Sequence, residues 1–157
     1  MGKNWQKNRH FQNKVEEMME MRGLKYISCG ARPSGKRGGG AAILTDTRKF
    51  SMEKLELNIP NNLEVQWALV RPKQILPNTK HREMIFCCFY SPPASKKHRK
   101  LLDHLVSATH ALMARYPQAA VYLAGDKNSL PLAPLLLALP RFKQVVREAA
   151  PQEKAQK

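Results

Sequence analysis

Asp126 and Asn128 are the residues of this chain whose types and spacing best suit chemistry, because together they could set a hard-cation ligand and an amide on one side of a strand end. They close the stretch Ala119-Ala-Val-Tyr-Leu-Ala-Gly-Asp-Lys-Asn128, in which six small or apolar residues stop at Gly125. Such a run reads as a buried strand, and strand carboxyl ends are where many folds set the polar groups of a site. The Asp126 carboxylate is a ligand type suited to Mg²⁺, and strand alternation would turn Asn128 to the same side. Gly-Asp-x-Asn is also rich in turn formers, so a plain turn is the competing reading.

Two more segments have to position such a site. Arg37-Gly-Gly-Gly-Ala-Ala-Ile-Leu44 is a glycine run feeding an apolar strand, and Ile85-Phe-Cys-Cys-Phe-Tyr-Ser-Pro-Pro93 is a buried strand ending in Tyr90 and two prolines. The glycine-rich loop has no Walker spacing and no helix after it, which favours close backbone approach at a core strand over a phosphate cradle. Further strands are predicted over 39–46, 50–57, 63–70 and 83–90, with Ile59-Pro-Asn-Asn62 as a turn between the middle pair. An amphipathic helix is predicted over 8–22, stopped by Gly23. A longer one is predicted over 96–116, N-capped by Ser95 and ended by Pro117. Its buried stripe is Leu101, Leu102, Leu105, Ala108, Leu112 and Met113. His98 and His104 read as surface residues of that helix. A short helix or apolar turn follows over 131–139.

The order and spacing of these segments resemble the endonuclease/exonuclease/phosphatase family, most closely the endonuclease domains of non-long-terminal-repeat retrotransposons. The matching motifs are the Arg-Gly-Gly-Gly strand, the Tyr-x-Pro strand end, the long helix, the Gly-Asp-x-Asn strand end and the Leu-Pro-Arg-Phe-Lys-Gln-Val-Val segment that closes at Val146. The resemblance covers residues 5–148 and implies an α+β fold, a two-layer β-sandwich flanked by helices, here incomplete. It implies Mg²⁺-dependent phosphodiester hydrolysis of DNA. Tyr90 would hydrogen-bond a phosphate oxygen, Asp126 would orient the attacking water, and Asn128 would hold the phosphate and orient Asp126. For Tyr90 the alternative is packing on Pro92 or Pro93.

The chain departs from the family pattern at several points. Lys3 of Lys3-Asn4-Trp5 stands where the family's metal-binding glutamate belongs, and an ammonium repels a cation. The family's first strand and its Ser-Asp-His segment have no counterpart, so the sequence reads as the middle of a nuclease domain. No metal ligand is assigned, and little or no catalysis is expected. A domain over 1–148 and a disordered tail over 149–157 complete the layout.

The net charge of +15 points to a polyanionic partner, DNA or RNA. Lys96-Lys-His-Arg-Lys100 opens the long helix, where the macrodipole disfavours cations. Lys96, Lys97, Arg99 and Lys100, with Lys127, are therefore candidate nucleic-acid contacts, against the reading of a solvated basic face. Three functions compete: a retroelement-type endonuclease, a non-catalytic nucleic-acid-binding protein, and a phosphatase of soluble inositol phosphates or nucleotides. Cys29, Cys87 and Cys88 form no disulfide framework. With no signal-peptide core or membrane-length apolar run, an intracellular or nuclear location is expected.

Overall fold

The computed structural model describes residues 17–28, 40–74, 81–93 and 96–146. Six strands and two helices follow one another as β1 (Leu24–Ser28), β2 (Ala42–Asp46), β3 (Phe50–Lys54), β4 (Glu64–Pro72), β5 (Met84–Tyr90), α1 (His98–Arg115), β6 (Ala120–Asp126) and α2 (Ala133–Ala138). A short helical stretch at 17–20 precedes β1. Gly23, at φ 70°, ends it as predicted, in a conformation that favours glycine. Lys3, the first half of the 8–22 helix, most of the glycine run, Ser95 and the 149–157 tail lie outside the described residues.

Alternation along the strands decides the layering. β3, β4, β5 and β6 form a sheet in that order, antiparallel except for the parallel β5–β6 pair. Val65, Trp67, Leu69, Ile85, Cys87 and Phe89 lie on one face and pack on Leu101, Leu105, Ala108 and Leu112 of α1 and Leu135 of α2. Met52, Ala68 and Val70 lie on the other face and pack on Ile27 of the antiparallel β1–β2 pair. Both faces of β4 are thus buried, and the chain forms two sheets face to face with helices outside, as the sequence predicts. No helix among the described residues is long and apolar enough to cross a membrane.

Four readings change. The strand predicted over 50–57 stops at Lys54, although Leu55 N–H still bonds the Trp67 carbonyl. β1 was not among the predicted strands. The long helix begins at His98; Lys97 occupies the cap position without a side-chain cap, and no acidic residue lies in the first turn. Finally, the strand taken as wholly buried, β6, is half open: Tyr122 is 47% exposed, and Ala124 and Gly125 are exposed. The cause is position, since β6 is an edge strand among the described residues and contributes nothing to the core that β1–β2 covers.

His104 is a fifth correction. It is buried, because it falls one turn from Leu101 and Ala108 on the stripe that faces the sheet. Trp67 Nε1–H donates to His104 Nε2 at 3.2 Å, and the rings meet edge to face. Indole is only a donor, so His104 must be neutral with its proton on Nδ1. Burial accordingly holds the imidazole below its ordinary value. The unfolded chain therefore takes up this proton first on acidification. The stabilisation is complete above the unfolded-state value of about 6.5 and is lost as pH falls through it toward the folded value. Urea midpoints measured from pH 8 to pH 5 should fall more for the natural chain than for His104→Gln, which keeps an acceptor and cannot titrate. Equal acid losses would place the titrating group elsewhere.

Candidate phosphate-binding edge

The parallel register sets the site. Tyr90, the last residue of β5, is the partner of Asp126, the last residue of β6, and of Glu64 at the start of β4. All three share the face that looks toward the second sheet. The sequence reading missed Glu64, although the alternation after Leu63 places it in phase with Gln66 and Ala68. Ser91 N–H donates to the Asp126 carbonyl at 2.9 Å and extends the pairing one step past the strand ends.

Asn128 takes a different position from the one alternation predicts. The strand stops at Asp126, and Asn128 sits in the left-handed region at φ 44°. Its backbone N–H reaches the Asp126 carboxylate at 3.2 Å, and its side-chain amide donates to the Ser91 carbonyl at 2.8 Å. Strand end and turn are therefore both present. Asparagine tolerates this conformation better than most residues. Its amide ties the turn after β6 to the end of β5, so Asn128 holds Asp126 in place while its NH₂ is engaged within the protein.

The same edge receives the start of α1. His98 Nε2 lies 3.2 Å from the Pro92 carbonyl, and Lys97 Nζ donates to the Asn62 carbonyl at 3.2 Å. Asn62, at φ 69°, belongs to the loop leading into β4. Lys96, Lys97, Arg99 and Lys100 are exposed there, and Lys127 follows Asp126 directly. The structure thus brings the basic run and the Tyr90–Asp126 pair to one end of the sheet. Tyr90 is half-buried and Asp126 exposed.

Magnesium, which the family resemblance implies, needs several oxygen ligands in near-octahedral geometry. Among the described residues no group of three or more His, Cys, Asp or Glu is placed to hold a metal ion. Asp126, and Glu64 in the same cross-strand row, are the carboxylates of this edge that could ligate the ion, one or two carboxylates being usual for Mg²⁺. Cys87 is buried, which pushes its thiol well up and leaves it unreactive. His81 bonds the Gln118 carbonyl at the opposite end of the sheet, so it is remote from Asp126.

No protein-family model matches the sequence, and no curated protein matches it. Among solved structures, the chain is similar to the human Nocturnin catalytic domain with bound sulfate anion, at a TM-score of 0.53 and 11% sequence identity. The match covers 76% of this chain and 48% of that one, so the chain spans about half the length of its neighbour. Identity at this level speaks to fold alone. The stacked sheets, their outer helices and this likeness agree: the chain carries an endonuclease/exonuclease/phosphatase-like fold.

Proposed function

We propose that this chain is a retroelement-derived domain that binds DNA through its basic phosphate-holding edge and hydrolyses phosphodiesters weakly or not at all. The observation that supports it most is the convergence of Tyr90, Asp126 and the start of α1 on one end of the sheet. The Tyr90 phenol can donate to a phosphate oxygen. Asp126 as an anion repels that phosphate, and the cations at Lys96, Arg99, Lys100 and Lys127 offset the repulsion. Asn128 positions the Asp126 carboxylate. Lys3 stands where the family resemblance puts the metal-binding glutamate, which favours holding a phosphodiester over cleaving it. An intracellular, nuclear location suits such a partner.

Fluorescence anisotropy with labelled DNA tests this reading. Log affinity should fall linearly with log salt, by about 0.9 for each phosphate neutralised on duplex. The triple replacement of Lys96, Arg99 and Lys100 by alanine should flatten that slope by about two to three, with Lys97 left to hold Asn62. Supercoiled plasmid should stay largely uncut with or without Mg²⁺. A flat salt slope in the natural chain would remove DNA as the partner, and metal-dependent nicking abolished by Asp126→Ala would restore full catalysis.

A further inference from the structure

We infer that Tyr122 is a base-stacking platform that makes single-stranded nucleic acid, rather than duplex, the preferred ligand of this edge; this rests on the nucleic-acid reading above. Phe86 and Tyr122 are partners across β5 and β6, and their rings stack at 5.0 Å between centroids and 14° between planes. Phe86 is partly buried against Met52, Ala68 and Val70 between the sheets, which fixes the inner ring. Tyr122 is 47% exposed on the edge strand, so its outer side looks past the sheet. A base settling there would extend an existing stack of two rings.

Spacing connects this platform to the phosphate edge. Tyr122, Ala124 and Asp126 lie on one face of β6, in the same rows as Phe86, Cys88 and Tyr90 of β5. At about 3.3 Å per residue, Tyr122 is roughly 13 Å from Asp126, a gap that a few nucleotides of extended strand cross. Ala124 between them is small and exposed, which leaves the path clear. The net charge of +15 supplies attraction for the backbone. Bases within a duplex already stack on one another, so only an unpaired base can use the ring. An apolar sheet face could also take a polypeptide strand. The charge and the ring geometry favour the nucleic acid.

The test compares oligothymidylate and a duplex of equal length by fluorescence anisotropy, using the full chain and its Tyr122→Phe and Tyr122→Leu variants. Leucine keeps apolar area but removes the π-face. The natural chain and Tyr122→Phe should bind the single strand alike, whereas Tyr122→Leu should bind it about tenfold more weakly. Duplex affinity should be unchanged in all three. A bromodeoxyuridine-containing oligonucleotide irradiated on the natural chain should cross-link at Tyr122. Equal single-strand affinity for the leucine variant, or a cross-link elsewhere, overturns the proposal while leaving nucleic-acid binding intact. Failure of the natural chain to bind either oligonucleotide overturns the reading beneath it. Self-association lost in Tyr122→Leu with unchanged single-strand affinity would assign the face to a polypeptide instead.

Discussion

Replacing Gly125 with alanine will loosen β6 from the sheet and disturb the Tyr90–Asp126 edge with it. A Cβ built on Gly125 would overlap the Phe89 carbonyl oxygen and stand 2.9 Å from the Phe89 carbonyl carbon. The first contact is with backbone, which no change of rotamer can relieve. Phe89 and Gly125 are strand partners, so relief requires β5 and β6 to separate where Tyr90 and Asp126 meet one step later. Overpacking in a core costs typically 1–3 kcal/mol, and a clash with backbone belongs at the upper end, about 3 kcal/mol. For a chain of this length that lowers the melting temperature by roughly 6–12 °C. Calorimetry reads the loss, and DNA affinity should fall alongside it. A melting temperature within about 1 °C of the natural chain would mean that β5 and β6 do not approach so closely.

The largest single loss of stability should come from Trp67→Ala. Trp67 is fully buried at the centre of the sheet, under α1. Truncating a buried tryptophan costs about 3–5 kcal/mol through lost transfer energy and the cavity left behind. The substitution also strips His104 Nε2 of its donor, at a further cost of about 1–3 kcal/mol. Native domains hold only about 5–15 kcal/mol in total, so a large unfolded population is expected. Circular dichroism in urea should rank the natural chain above Trp67→Phe and Trp67→Phe above Trp67→Ala. If Trp67→Phe lost as much as Trp67→Ala, the hydrogen bond rather than the ring would hold the core.

What the sequence could foretell follows from where repetition exists in it. The α1 stripe was legible because leucines recur at helical spacing over 18 residues, and β5 because its apolar run ends abruptly at Tyr90 and two prolines. His104 escaped because an imidazole counts as polar in a pattern, although its position one turn from Leu101 marked it as inward. β1 escaped because Leu24–Ser28 is five residues long with Lys25 inside it, too short for alternation to stand out. The openness of β6 was illegible for another reason: an apolar strand reads alike at the centre of a sheet and at its edge. At the site, the pairing of Tyr90 with Asp126 depends on the register between strands. The turn of Asn128 toward Ser91 depends on where β6 stops. Neither is written in local residue spacing.

The mixed direction of the four-stranded sheet bears on how the edge comes into being. β3, β4 and β5 are joined antiparallel and in sequence order, so their ladders close short loops. β6 can join only parallel to β5, after the whole of α1 has crossed over the sheet. Ordering that longer loop costs entropy before any new contact repays it, and edge position gives β6 one neighbour where β5 has two. Its docking is then the late event in folding and its release the early one in local opening. Tyr90 waits on a strand formed early, while Asp126 and Tyr122 arrive with the last. Any phosphate chain that bridges the two ties a late-docking edge strand to its neighbour, so ligand capture and completion of the fold become one equilibrium.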